Sequence, residues 1–287
     1  MGETDRAGGW AVESNVASHD GEPPSRHRGA GLLVVVATYN ERDNLPRLVA
    51  AILDVAPESR VLVIDDASPD GTGEWARRRA VDEPRLRVIE RPGKMGLGSA
   101  IVRAMRIAVD EGYESLINLD GDSSHDPAVI PELLGRLHGG TGGGEADLVI
   151  GSRYVAGGGT QGWPARRKWM SFAVNTLARN ALRLPVRDCS SGYRCFRVAF
   201  LKRIDLSTLR ATGYAFHEES LWRLKRAGAR IAECPITFVE RRRGQSKINA
   251  REAAAALFGM LRWGWLERCE RRPSLLDDQP RHEGPDS

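Results

Sequence analysis

Two aspartates one residue apart, Asp120 and Asp122, lie in the octapeptide Asp120-Gly-Asp-Ser-Ser-His-Asp-Pro127, directly after the apolar run Leu116-Ile-Asn-Leu119. Carboxylate oxygens at this spacing suit a hard divalent cation, Mg²⁺ or Mn²⁺, with the phosphates of a substrate filling the remaining coordination positions. If the run is a strand, alternation places side chains i and i+2 on one face, and the carboxyl edge of an open α/β sheet is where ligands sit. The chemistry implied is the handling of a nucleotide sugar at a bound metal.

Three other segments end apolar runs in the same way: Ala37-Thr-Tyr-Asn-Glu41, Asp65-Asp-Ala-Ser-Pro-Asp-Gly-Thr72 and Gly151-Ser-Arg-Tyr154. Asp66 is placed to accept hydrogen bonds from a base or ribose, Tyr39 to stack beside the ring and Glu41 to accept from it. A structural reading stands beside each, since Asp65 and Asp66 could cap the next helix and Ser68-Pro-Asp-Gly71 is a good turn in any protein. Gly93-Lys-Met-Gly-Leu-Gly-Ser99 has the wrong order for a phosphate loop and comes after the third strand, so it reads as a tight helix entry with Lys94 near the phosphates. His125 is set aside as a metal ligand because adjacent strand-end positions diverge, whereas Ser124 is in better phase with Asp120 and Asp122. Asp126 before Pro127 reads as a helix cap, and His217-Glu-Glu219 lacks the second histidine of a zinc protease. In Phe238-Val-Glu-Arg-Arg-Arg-Gly-Gln-Ser-Lys-Ile248, Gly244 breaks a basic run into a loop that could close over an anion, with Arg241 and Lys247 reaching inward.

These residues need a scaffold, and apolar runs alternate with helical patterns: Leu32–Ala37 then Leu45–Val55, Val61–Asp65 then Gly73–Ala80, Leu86–Glu90 then Leu97–Val109, Leu116–Leu119 then Pro127–Leu137. Runs without polar alternation are expected where helices cover both faces of a mostly parallel sheet. Further strands are expected at Asp147–Gly151 and Arg230–Phe238. An amphipathic helix over Arg166–Leu184 carries Trp169, Ala173, Leu177 and Ala181 in one stripe behind a basic first turn. A second, Glu252–Leu266, combines tryptophan with arginine and would lie in a membrane interface or pack against the sheet.

The chain has 287 residues, a net charge of +4 and a pI near 9.0. This mild basicity fits a phosphate-bearing substrate or an anionic membrane surface and does not require nucleic acid. Cys189, Cys195, Cys234 and Cys269 are scattered, which reads as reduced thiols with no structural zinc. No stretch approaches the ~18–20 apolar residues of a spanning helix. Residues 1–30 read as a disordered leader, 31–250 as the main domain, 251–270 as an amphipathic interfacial helix and 271–287 as a disordered tail.

Taken in order, Thr38-Tyr-Asn-Glu-Arg-Asp-Asn-Leu-Pro46, the Asp65 segment, the Asp120 octapeptide, Gly151-Ser-Arg-Tyr154, Asp188-Cys-Ser-Ser-Gly-Tyr-Arg194, Gly213-Tyr-Ala-Phe216 and Glu240-Arg-Arg-Arg-Gly-Gln-Ser-Lys247 resemble the dolichol-phosphate (polyprenol-phosphate) mannose synthases, family 2 glycosyltransferases with the GT-A fold. The resemblance runs from about Leu32 to Arg268. It implies a Rossmann-like, mostly parallel sheet flanked by helices, with amphipathic membrane-interface helices toward the C-terminus. The implied reaction is inverting transfer of mannose from GDP-mannose to a membrane polyprenyl monophosphate, with Mg²⁺ or Mn²⁺ as cofactor, on the cytoplasmic face of a membrane.

By position, the resemblance assigns Ala37, Tyr39, Glu41, Ile64 and Asp66 to the guanosine end, and Asp120, Gly121 and Asp122 to diphosphate and metal. Ser124 would be a further metal ligand. Arg153, Arg241 and Lys247 would contact phosphates, with Asp122, Arg153 and Arg241 carrying catalysis, and Arg167 and Ser171 would take the acceptor phosphate. Glu219 matches a family carboxylate without an assigned task. Two departures, Ala37 where the family has Pro and Gly121 where it has Ala, fall at backbone contacts. Relatives reach the membrane through C-terminal spanning helices or small tethering subunits, and this chain displays neither feature. A different nucleotide sugar such as UDP-glucose, hydrolysis of the donor, and a scaffold role for a decayed transferase are the rival readings.

Overall fold

The computed structural model describes residues 31–140, 144–210, 213, 215–240, 259 and 262–266. Four strands, β1 (Leu32–Thr38), β2 (Arg60–Asp65), β3 (Leu86–Glu90) and β4 (Ser115–Asp120), run parallel and are linked by helices α1 (Leu45–Val55), α2 (Thr72–Asp82) and α3 (Leu97–Asp110). This is the βα alternation expected from the sequence, with every strand boundary within two residues. Strand β1 shows why these runs lack polar alternation. Leu33 and Val35 enter one core with α3 residues Ile101 and Met105, while Val34 and Val36 enter the other with Leu48 and Ile52 of α1. Successive side chains point to opposite faces, and both faces are covered.

After a short 3₁₀ turn at Pro127–Val129 come α4 (Ile130–Leu137), β5 (Leu148–Ser152), β6 (Gly159–Gln161), α5 (Ala165–Leu182), β7 (Arg194–Arg197), α6 (Val198–Leu201), α7 (Ala215–Arg226), β8 (Ile231–Pro235) and β9 (Thr237–Val239). The main sheet has the order β3-β2-β1-β4-β7-β5-β8, and β6 pairs with β9 apart from it. Strand β7 is antiparallel to both β4 and β5, so the sheet is mixed in this half and mostly parallel overall.

The structure departs from the sequence expectation at several elements. The strand expected over Arg230–Phe238 breaks at Pro235: β8 pairs with β5, whereas Thr237–Val239 joins β6 in the second sheet. Proline has no N–H to continue a ladder. Strands β6 and β7 and helices α6 and α7 are additional to the expected elements. Along α5, Trp169, Ala173 and Leu177 of the expected stripe are exposed, and Ala181 packs against the core. Trp169 is 73% exposed and Leu177 45%, while the buried face is Asn175, Ala178 and Leu182.

No described helix is long and apolar enough to cross a membrane. Cys189, Cys195 and Cys234 are free and buried, as reduced thiols. The expected leader and tail and Cys269 lie outside the described residues, as does most of the second amphipathic segment, of which 259 and 262–266 are helical.

Candidate active site at the strand ends

The carboxyl ends of β1, β2 and β4 lie side by side, with Ala37 in register with both Ile64 and Asp120. The topology thus brings together segments that are far apart in sequence. Strand β4 ends at Asp120, and Ser123 adopts a left-handed φ of 62°. Strand alternation therefore does not extend to Asp122, and a turn sets its direction instead. Asp122 is buried and accepts the Ser124 amide at 3.0 Å. The Ser124 hydroxyl, 1% exposed, has no hydrogen-bond partner among the described residues. Gly121 packs tightly here: a Cβ would stand 3.1 Å from Thr38 Cγ2 and 3.3 Å from the Ala37 carbonyl oxygen.

The same turn, and not strand divergence, sets the position of His125. Its ring is buried against Tyr193, with centroids 5.0 Å apart, and Nε2 stands 3.3 Å from Asp120 Oδ2, out of line for a hydrogen bond. His217, from the first turn of α7, approaches from the other side. A Cβ on Gly192 would lie 3.0 Å from Asp120 Oδ1 and 3.3 Å from His217 Nε2. Burial and the nearby Arg194 guanidinium push the His217 pKa down to about 3, so its ring is neutral. Neither histidine was placed at the site from sequence, because Ser123's backbone turn and the register of β7 leave no mark in residue spacing.

An orphaned buried hydroxyl beside a buried carboxylate fits a hard cation. The described residues contain no ready cluster of three or more His, Cys, Asp or Glu. A set of two carboxylates and one hydroxyl leaves coordination positions for substrate oxygens.

The end of β2 is built differently. Asp66 is buried and ion-paired with the buried Arg91, and it also accepts the amides of Met95 and Gly96, each at 3.1 Å. Its carboxylate therefore pins the Gly93–Ser99 loop, a task separate from the base-reading role expected for it. That loop carries Lys94, whose Nζ sits 4.9 Å above the Tyr39 ring, so residues proposed for stacking and phosphate contact are neighbours. Glu41 accepts the Asn44 side-chain amide at 2.8 Å, and Ile64 is fully buried in β2.

Beyond β5, Arg153 is held by both oxygens of Asp188, with Nε and Nη2 each at 2.7 Å. Asp188 also takes the Arg153 and Ser191 amides. Burial works against the Arg153 charge, but Asp188 raises its pKa above the ordinary arginine value. This clamp gives Asp188, which had no task in the sequence, a clear one.

Arg167, at the start of α5, stacks 4.2 Å from the Trp163 ring centroid and pairs with Glu240. Ser171 Oγ accepts from the Tyr154 hydroxyl at 2.7 Å, which links it to the strand-end segment containing Arg153. Asp126 caps the 3₁₀ turn as expected, accepting the Ala128 amide. Glu219 holds Arg223 Nε and the Arg210 amide, both at 2.9 Å. Arg241 and Lys247 lie outside the described residues.

Residues 33–205 match the model of "Glycosyl transferase family 2". The chain belongs to that family. It is 42% identical over 239 residues to the undecaprenyl-phosphate mannosyltransferase of Micrococcus luteus, covering 83% of this chain and 96% of that one. It is 39% identical over 266 residues to the polyprenol monophosphomannose synthase of Mycolicibacterium smegmatis, covering 88% and 98%. Among solved structures, mannosyltransferase PcManGT from Pyrobaculum calidifontis, in complex with GDP-Man and Mn²⁺, superposes with a TM-score of 0.54 at 18% identity, over 84% of this chain and 64% of that one. Glucosyl-3-phosphoglycerate synthase from Mycobacterium tuberculosis, in complex with Mn²⁺, UDP and phosphoglyceric acid, superposes at 0.58 and 21% identity, over 87% and 82%. These structural likenesses speak to the GT-A fold.

Proposed function

We propose that this glycosyltransferase moves mannose from GDP-mannose to a polyprenyl monophosphate at a membrane surface, inverting the anomeric carbon and releasing GDP. The observation that carries the site is the buried Ser124 hydroxyl, without a hydrogen-bond partner among the described residues, beside Asp122 at the end of β4. The names of the relatives that match nearly end to end supply the acceptor class and the sugar.

A divalent ion held by Asp120, Asp122 and Ser124 would neutralise charge on the departing diphosphate. The chain's own residues do the rest. Ala37, Tyr39, Glu41 and Ile64 line the nucleotide end, with Asp66 acting through the loop it holds. Arg153 offers a fixed charge: Asp188 fixes the guanidinium plane and Trp163 lies 5.4 Å beneath it. One opposite charge at 4 Å contributes about 4 kcal/mol at an effective dielectric near 20, and a group that needs no reorganisation delivers it best in the transition state. Arg241 and Lys247, which the resemblance assigns to the phosphates, would add to this.

The acceptor's phosphate oxygen is already ionised at neutral pH and needs no strong base. Arg167 would exchange Glu240 for that phosphate, and Ser171, whose oxygen already accepts from Tyr154, keeps its own O–H to donate. Held there, the phosphate would face C1 opposite the leaving group, the geometry of a single inverting displacement. Exposed Trp169, Met170, Phe172, Val174 and Leu177 on the same helix would sit among lipid headgroups on the cytoplasmic face, bringing Arg167 to the acceptor.

The test incubates the full chain with labelled GDP-mannose, Mg²⁺ or Mn²⁺ and membranes containing polyprenyl phosphate. The expected product is an organic-extractable, mild-acid-labile mannolipid, and UDP-glucose should compete poorly. GDP release at the same rate without lipid phosphate would instead mean hydrolysis and overturn the proposal.

A further inference from the structure

A cavity of about 820 Å³ opens on the far side of α7 from the strand-end site. Helical spacing separates the two. His217 faces the Asp120 edge, while Glu219, Trp222, Arg223 and Arg226 follow the i, i+3, i+4, i+7 pattern on the opposite face and line the cavity. The other walls are the turn after α6, with Arg203 and Arg210, and the C-terminal helical segment, with Arg262 and Trp263.

Five arginines therefore surround one concavity. Glu219 pairs with Arg223 inside the cavity and takes the Arg210 amide, and Asp205 caps its own turn by accepting the Ser207 amide and hydroxyl, so two acids stand against five arginines and the wall keeps an excess of positive charge. Surface arginines are ordinarily just solvated. Here they converge over low-dielectric walls, where like charges repel and positive potential is focused. Trp222 and Trp263 form part of those walls. Both are buried, with ring centroids 6.1 Å apart and planes tilted by 21°. The volume falls in the range of ligand pockets, about 300–1,000 Å³.

We infer that this cavity is a second anion site, separate from the transfer site, which takes a phosphate ester attached to an apolar group. The guanidiniums match phosphate oxygens as paired donors, and the tryptophans take the apolar part. A membrane phospholipid and a soluble phosphate ester share this chemistry.

The test uses the full chain and three probes: soluble dihexanoyl phosphatidic acid followed by tryptophan fluorescence, phosphatidylcholine vesicles with and without phosphatidic acid, and inorganic phosphate as competitor. The R203E/R210E/R262E variant is compared with R77E/R78E/R79E, which makes the same charge change on exposed arginines of α2. Thermal melts verify that both are folded, and R203K/R210K/R262K serves as a charge-retaining variant if the reversal fails to fold. Wild type and the α2 variant should bind dihexanoyl phosphatidic acid alike, with the cavity reversal at least about tenfold weaker. The lysine variant should bind between the two, because charge remains and the paired donors are lost. Vesicle binding that falls only in the cavity variant assigns the site to membrane lipid. Equal vesicle binding with lost soluble binding assigns it to a free ester. Equal binding of every probe by both reversal variants, or wild-type affinity in the lysine variant where the reversal cannot fold, overturns the inference.

Discussion

Strands β2 and β4 both deliver acidic pairs to the same edge of the sheet, and their surroundings differ. At the end of β2, Asp65 accepts the Thr38 hydroxyl and the Ser68 amide, each at 2.9 Å, and Asp66 holds Arg91 with two loop amides. Past β4, the Ser124 hydroxyl and both His125 nitrogens are buried without an aligned hydrogen-bond partner among the described residues. Folded proteins rarely leave buried polar atoms unsatisfied. An acid whose donors come from the chain is scaffold, and an acid set among orphaned polar atoms is completed by a ligand. Charge alone does not distinguish the two.

The comparison breaks or holds most visibly at Asp122. Asp122→Asn keeps the shape and removes the charge. Losing about 4 kcal/mol of leaving-group stabilisation corresponds to roughly 10³-fold in rate. Mannolipid formation should fall by at least that, while the melting temperature stays near wild type. Asp66→Asn should act first on stability, with donor binding weakened only through the loop it holds. It leaves Arg91, 4% exposed, without its counter-charge, and breaking such a pair costs about 3–5 kcal/mol. Chemical denaturation would measure the loss. A stable Asp66→Asn together with an unfolded Asp122→Asn would invert the assignment of scaffold and site.

How far the sequence went follows from the same contrast. Val61–Asp65 and Leu116–Leu119 were readable as strands because both faces of each are buried, so an unbroken apolar run is itself the signal. Strand β7 gave no such signal: it is four residues long and begins at Arg194, whose guanidinium is buried and satisfied by the Ser191, His217 and Cys189 carbonyls. An arginine solvated by backbone looks like surface in a sequence. The acids of the site were legible as acids, but their tasks depend on distant partners: Arg91 for Asp66, Asp188 for Arg153. His125 was set aside on strand geometry that ends three residues before Ser123, since β4 stops at Asp120 and the left-handed turn redirects the chain.

The third test lies behind the site, in α7. Burial raises the Glu218 pKa to about 7 from 4.5, against a weaker opposing pull from Arg194, and one carboxyl oxygen lacks a partner among the described residues. The folded state holds this proton more tightly than the unfolded state. Its contribution to stability is therefore fully present below about pH 4.5 and is lost as pH rises to about 7. Glu218→Gln removes that dependence, so the variant should gain on wild type between pH 4.5 and 7.5 by something on the order of 3 kcal/mol. Paired urea titrations across this range would reveal it. A constant difference would mean that Glu218 is already ionised in the fold.

The smallest predicted effect tests whether the β4 end is tuned as well as open. Gly192 has no Cβ, and one added there would stand 3.0 Å from Asp120 Oδ1 and 3.3 Å from His217 Nε2. Neither neighbour can retreat freely, because His217 is buried and Asp120 already has His125 at 3.3 Å on its other oxygen. Gly192→Ala should therefore displace the Asp120 carboxylate by a few tenths of an ångström and leave Asp122 and Ser124 in place. Disturbing the surroundings of a ligand weakens metal affinity by roughly 10–100-fold, and the low end is expected where one of three donors shifts slightly. The activating concentration of Mn²⁺ should rise about tenfold while turnover at saturating metal stays close to wild type. A lower turnover that saturating Mn²⁺ does not restore would place Asp120 in the chemistry itself and not in holding the ion.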